Sequence, residues 1–168
     1  MKPRILIIED NAANLELMAY LLGAFGYTPL TASDGAEGLA LARGKELTLI
    51  LCDIGMGDMD GYAVVRHVKA DPALQKIRLV AVTAYAMVGD RDKILAAGFD
   101  GYIAKPIDPE IFVGQVEAFL TSDRPPAELV LSPQAATEPD REAADAGQLS
   151  HGETIGKRNR NKRNGKRE

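Results

Sequence analysis

The segment "LILCDIGMGDMDG", residues 49–61, places Asp53, Asp58 and Asp60 directly after an apolar run. Three chemistries could use it: oxygen ligands for a metal, an acidic turn in solvent, or a nucleophilic carboxylate with supporting neighbours. A calcium loop of the EF-hand type needs oxygen ligands at alternating positions, and Gly55 and Gly57 interrupt them. The other readings turn on what stands at the ends of the remaining apolar runs, and those ends are polar. "RILIIED" closes on Glu9 and Asp10, "IRLVAVTA" carries Thr83, and "GYIAKP" runs into Lys105.

The elements that must position these residues show in the hydrophobic period. To about residue 121, apolar runs of strand length alternate with segments of helical spacing. "RILII" reads as a buried strand. "NLELMAYLLGAFG" carries Leu15, Met18, Leu21, Leu22 and Phe25 at helical intervals, with Gly26 as its stop. "YTPLTA" is a weaker strand whose Pro29 suggests a sheet edge. In "SDGAEGLALARG", Asp34 stands three residues before Glu37, a helix-start signature. "LTLILCD", "IRLVAVTA" and "GYIA" are further strands. "GYAVVRHVKAD", "GDRDKILAAG" and "PEIFVGQVEAFL" are further helices, with stops near Pro72 and Gly98. Five strand–helix pairs predict an α/β fold, a doubly wound parallel sheet with helices on both faces. Its expected strand order is the flavodoxin-like 2-1-3-4-5.

In such a sheet ligands bind beyond the carboxyl ends of the strands, where the order reverses. Strands one and three flank that point, so Glu9, Asp10 and Asp53 converge there, with Thr83 and Lys105 beside them. Converging carboxylates repel and raise one another's pKa unless a cation holds them ionised. Magnesium suits the set, being a hard ion that takes one or two carboxylates plus water and phosphate oxygens. Asp10 and Asp53 are the expected direct ligands, and Glu9 acts directly or through water.

At this point the chain resembles a known family, the CheY-like receiver domain of two-component response regulators. "IIEDNAAN", "ILCDIGMGDMDG" and "VAVTAYAMVGDRDKILAAGFDGYIAKPID" match its acidic pair, phosphoacceptor loop, switch threonine and lysine–proline motif in order. The resemblance spans residues 4 to about 121 and implies the same strand order. It implies that Asp53 is the phosphoacceptor, served by a histidine kinase or histidine phosphotransfer protein, with Lys105 and Thr83 assisting. It further implies magnesium (or manganese) held by Glu9, Asp10, Asp53 and the Gly55 backbone carbonyl, and a cis Lys105–Pro106 bond. Tyr102 falls at the switch-aromatic position, so that Thr83 and Tyr102 alter the helix 4–strand 5–helix 5 face toward a downstream protein target. The domain would be a signalling phosphoacceptor and no enzyme beyond self-phosphorylation and autodephosphorylation. Asp58 and Asp60 are then turn residues around Gly57 and Gly61. Gly57 departs from the family, which commonly has proline there.

Composition sets the frame. The single Cys52 has no intramolecular partner and reads as a small core residue, and His67 as a solvated histidine without a cluster. The N-terminal apolar run is too short for a signal peptide and no stretch approaches a membrane span, so the expectation is a cytoplasmic protein. Residues 1–156 carry 13 Lys/Arg against 23 Asp/Glu, and residues 157–168 carry seven against one. Residues 1–122 are read as a receiver domain of the stand-alone type, a monomer or weak dimer. Residues 123–168 are read as a disordered tail, acidic and Pro/Ala-rich, then basic over 157–168.

Two rival functions differ in class. One is an aspartyl-phosphate phosphohydrolase, disfavoured because Gly55 stands where its acid/base aspartate belongs, two residues after the nucleophile. The other is a nucleic-acid-associated regulator acting through the basic tail, disfavoured by the absence of aromatic residues there.

Overall fold

The computed structural model describes residues 2–84 and 88–121. The tail expected over 123–168 lies outside the described residues. Strands and helices alternate as β1 (Ile5–Ile8), α1 (Ala12–Ala24), β2 (Leu30–Ala32), α2 (Gly35–Gly44) and β3 (Leu49–Asp53). Then come α3 (Gly61–Ala70), β4 (Arg78–Thr83), α4 (Val88–Ala96), β5 (Gly101–Ala104) and α5 (Phe112–Thr121).

All five strands pair in parallel in the order β2-β1-β3-β4-β5, as expected. A parallel sheet must be covered on both faces, and alternate residues along a strand serve opposite faces. Ile5, Ile7, Leu49, Leu51, Val80 and Val82 therefore pack with Met18 and Leu22 of α1 and Phe112 and Val116 of α5. Leu6, Ile8, Ile50, Cys52, Leu79 and Ala81 pack with Leu39 of α2, Val64, Val65 and Val68 of α3, and Ile94 of α4. Burying one such branched side chain contributes on the order of 2 kcal/mol. Truncating the fully buried Leu51 to alanine would cost roughly 3 kcal/mol.

Local signals account for the helix ends. Asn11 caps α1 by accepting from the Asn14 N–H. Asp34 caps α2, accepting from the Glu37 N–H at 2.8 Å, while Glu37 Oε2 accepts from the Ser33 N–H at 2.8 Å. This is a capping box displaced by one residue, since Glu37 reaches Ser33 and not the cap itself. α1 ends in a Schellman motif: the Tyr27 N–H reaches the Leu22 carbonyl, the Gly26 N–H reaches that of Gly23, and Gly26 has φ +79°.

Three expectations shift here. Phe25, expected on the apolar face of α1, is 57% exposed. It lies one residue past the helix, where the turn ends the helical period, and Lys2 Nζ donates to its carbonyl at 2.6 Å. α5 begins at Phe112 and not at Pro109, because Asp108 holds the intervening turn. Its carboxylate accepts from the Glu110 N–H and its carbonyl from the Phe112 N–H, both at 2.9 Å. β1, β3 and β4 are each shorter than their apolar runs by one to two residues at an end. Among the described residues no helix is long and apolar enough to cross a membrane.

Candidate functional site

The polar residues singled out in the sequence collect at one end of the sheet. Glu9 and Asp10 follow β1, Asp53 ends β3, Thr83 ends β4, and Lys105 follows β5. Parallel register brings them level: Ile8 pairs with Cys52, Asp53 with Val82, and Thr83 with Ala104. Glu9, Asp53 and Thr83 are buried while Asp10 is exposed. One carboxylate oxygen from each of Glu9, Asp10 and Asp53 lies within 4.8 Å of the others.

Lys105 reaches into this trio. Its Nζ lies 2.8 Å from Glu9 Oε2 and 3.1 Å from Asp53 Oδ2. The Lys105–Pro106 peptide is cis, as the resemblance implied. Glu9 Oε1 accepts from the Asn11 N–H at 3.2 Å. Its Oε2 is close to the ammonium but lacks hydrogen-bond alignment, so a fully buried oxygen is left without a hydrogen bond. Burial, reinforced by the Asp53 charge, raises the Glu9 pKa against the opposing pull of Lys105 and the Asn11 N–H. Burial alone would lower the Lys105 pKa, but Glu9 and Asp53 outweigh it and the net shift is upward. Two of the three carboxylates, Glu9 and Asp53, flank the ammonium, so the trio carries more negative charge than Lys105 offsets. That surplus of negative charge and the unaligned buried oxygen fit a hard divalent cation on an oxygen donor set.

The loop after β3 braces the acids. Gly55, expected to offer its carbonyl, donates its N–H to Asp53 Oδ1 at 3.1 Å, which uses a different atom and leaves that carbonyl to other partners. The Gly57 N–H donates to Asp10 Oδ2 at 3.2 Å. Asp58 is exposed. Asp60 does more than turn the chain: it caps α3, accepting from the Ala63 N–H at 2.7 Å. An aspartate directly before a glycine and a helical apolar period carries that signal in the sequence. At Gly61, the first residue of α3, a Cβ would lie 2.5 Å from the Asp53 carbonyl oxygen and 2.8 Å from Ile54 Cα. The close approach of α3 to the back of Asp53 leaves no trace in local sequence.

The remaining candidates sit nearby. The Thr83 carbonyl accepts from the Lys105 N–H at 2.8 Å. Thr83 lines a cleft of about 700 Å³ with Gly55, Met56, Tyr62, Asp90 and Lys93. Tyr102 is buried at 9% exposure in the face shared with Phe99 and Ile94. Cys52 is buried, as expected, and desolvation pushes its thiol pKa well up, so it stays protonated. His67 is exposed.

Comparison with known proteins places this geometry. The profile of the response regulator receiver domain matches residues 5–117. The polar-differentiation response regulator DivK of Brucella anthropi is 38% identical over 120 residues, covering 71% of this chain and 98% of that protein. The receiver domain of sensor histidine kinase PA1611 from Pseudomonas aeruginosa, solved with magnesium coordinated in its active-site cleft, superposes with a TM-score of 0.66. It is 29% identical and covers 73% of this chain and all of that one. The chemotaxis response regulator CheY4 of Vibrio cholerae, at 24% identity, shares the fold with a TM-score of 0.68 over 71% of this chain and all of its own. The chain belongs to the response regulator receiver family of two-component signalling.

Proposed function

We propose that Asp53 accepts a phosphoryl group from a phosphohistidine on a kinase or phosphotransfer protein, and that the modified domain signals by protein contact. The observation that carries this reading is the Lys105 ammonium bridging Glu9 and Asp53 beside Asp10. In the transfer, an Asp53 carboxylate oxygen forms the new P–O bond as the P–N bond of the donor breaks. The leaving imidazole keeps the electron pair and takes a proton. Such transfers depend on alignment and charge neutralisation more than on covalent assistance from the protein. Asp53 is aligned by the Gly55 N–H, and Lys105 meets the phosphoryl oxygens as they arrive.

Asp10 and Asp53 would hold magnesium, with Glu9 directly or through water and the Gly55 carbonyl completing the set; manganese suits the same ligands. When bound, the ion neutralises charge on the transferring oxygens. Thr83, buried at the next strand end, supplies a hydroxyl to the phosphoryl group. Tyr102 carries the change to the surface of α4, β5 and α5, so that two populations of the domain present different faces to a partner. A cytoplasmic location agrees with the single unpaired Cys52.

Incubation with magnesium and acetyl phosphate, followed by intact mass, tests this reading. A single base-labile phosphoryl adduct is expected, absent from Asp53→Asn and from a chelated sample. An adduct that persists in Asp53→Asn would refute the assignment.

A further inference from the structure

The edge of the sheet opposite Asp53 carries the reverse charge. Lys2 and Arg4 precede β1, Thr28 precedes β2 and Lys45 precedes β3. Parallel pairing gathers these residues at the amino ends of three adjacent strands. With Gly26 they line a cavity of about 430 Å³ that no carboxylate lines. Its size falls in the range of small-ligand sites, and its lining is cationic. Lys2 is held at the wall: its Nζ donates to the Phe25 carbonyl at 2.6 Å and lies 4.9 Å from the centre of the Tyr27 ring. That is ordinary work for a lysine at a helix C-terminus. Arg4 and Lys45 have no such duty. Both are exposed, and among the described residues neither cationic group makes a hydrogen bond or ion pair. The Thr28 hydroxyl is likewise without a partner there. The Arg4 carbonyl accepts from the Thr48 and Leu49 N–H groups at 2.9 and 3.4 Å, which anchors the guanidinium stem to the start of β3.

We infer that this cavity binds a small molecule bearing two or three linked phosphoryl groups. Arg4 presents a planar fork of donors that matches phosphate oxygens, Lys45 and Lys2 add point charges, and Thr28 adds a neutral donor. Three like charges around one cavity repel, and an anion among them relieves that repulsion. The opposing group is Glu46, which lines the adjoining cavity with Lys2 and Arg4. The site lies at the far edge of the sheet from Glu9, Asp10 and Asp53, so the inference stands apart from the phosphoacceptor reading.

The test titrates the full chain with sodium pyrophosphate in magnesium-free buffer at constant ionic strength and follows amide resonances. Residue resolution matters because the seven Lys and Arg residues over 157–168 also attract polyanions. Saturable shifts are expected at Arg4, Thr28 and Lys45. Arg4→Gln and Lys45→Gln should each weaken binding about tenfold, the scale of one charge-assisted hydrogen bond. Glu46→Gln should tighten it, and Lys93→Gln, on α4, should leave it unchanged. Orthophosphate should bind about tenfold more weakly than pyrophosphate. Shifts confined to residues 157–168, or an affinity indifferent to both Arg4→Gln and Lys45→Gln, overturn the inference. Equal binding of orthophosphate and pyrophosphate overturns the ligand class. Phosphatidylglycerol vesicles that shift these amides where pyrophosphate does not would overturn it in favour of a membrane surface.

Discussion

The Lys105 ammonium lies 3.1 Å from Asp53 Oδ2, although β4 separates the strands that carry the two residues. The side chain spans the end of β4 and reaches on to Glu9, beyond β1. It is the cationic counterpart of three acids, and removing it tests both charge balance and chemistry.

Lys105→Met is expected to slow phosphoryl adduct formation from acetyl phosphate about 100-fold, the scale of losing one charge-stabilising donor. Magnesium binding should become tighter, because a competing positive charge has left the acidic trio. Timed intact-mass measurements at saturating magnesium read the first effect and calorimetry the second. A wild-type rate in Lys105→Met would remove Lys105 from the transfer.

Glu9 sets stability against function. Its pKa is raised by burial, with Asp53 adding to the shift. A carboxyl whose folded pKa exceeds its unfolded value penalises folding once both states would ionise. That penalty is absent below the ordinary carboxylate range and grows as pH rises through it to the folded value. Glu9→Gln should therefore melt above wild type at pH 7 in chelator, with the gain vanishing near about pH 4. A lower melting temperature at pH 7 would contradict the sign.

Gly61→Ala should destabilise the domain by roughly 2–3 kcal/mol, since the added carbon meets Asp53 and Ile54 backbone that cannot rotate away. Gly114→Ala supplies the contrast. It lies exposed in α5, nothing would stand within 4 Å of its Cβ, and a gain of about 1 kcal/mol is expected. Urea denaturation measures both, and similar changes in the two would discount the close approach.

Asp71 offers an acid-side test away from the site. Its pKa is lowered first by the Ala73 N–H and then by Arg43, whose Nε lies 3.1 Å from Oδ2. A depressed carboxylate stabilises the fold above its unfolded pKa and loses that contribution as pH falls through the folded value. Asp71→Asn should thus melt below wild type from pH 5 to 8, and the two curves should converge as pH falls below the ordinary aspartate range. A difference that persists at acid pH would point to packing and not to charge.

Much of the fold was legible in the chain because strands and helices write their own period. "GYIA" became β5 without a change of boundary, and Asp34 with Glu37 marked the start of α2. The polar strand ends were legible too, since parallel topology brings the carboxyl ends of all strands to one edge. The same local rules misplaced Phe25, where the helix had already ended, and started α5 three residues early, where Asp108 holds a turn. By itself the sequence determined the sheet, its order through the family resemblance, and which side chains meet at the site. Only the tertiary structure decided how they meet: that Lys105 is shared by Glu9 and Asp53, that Gly61 must lack a side chain, and that the Gly57 amide reaches Asp10. Spacing along the chain carries periodicity and end signals. Contacts between residues on different strands and loops depend on fractions of an ångström in packing, and those arise when the layers close on one another.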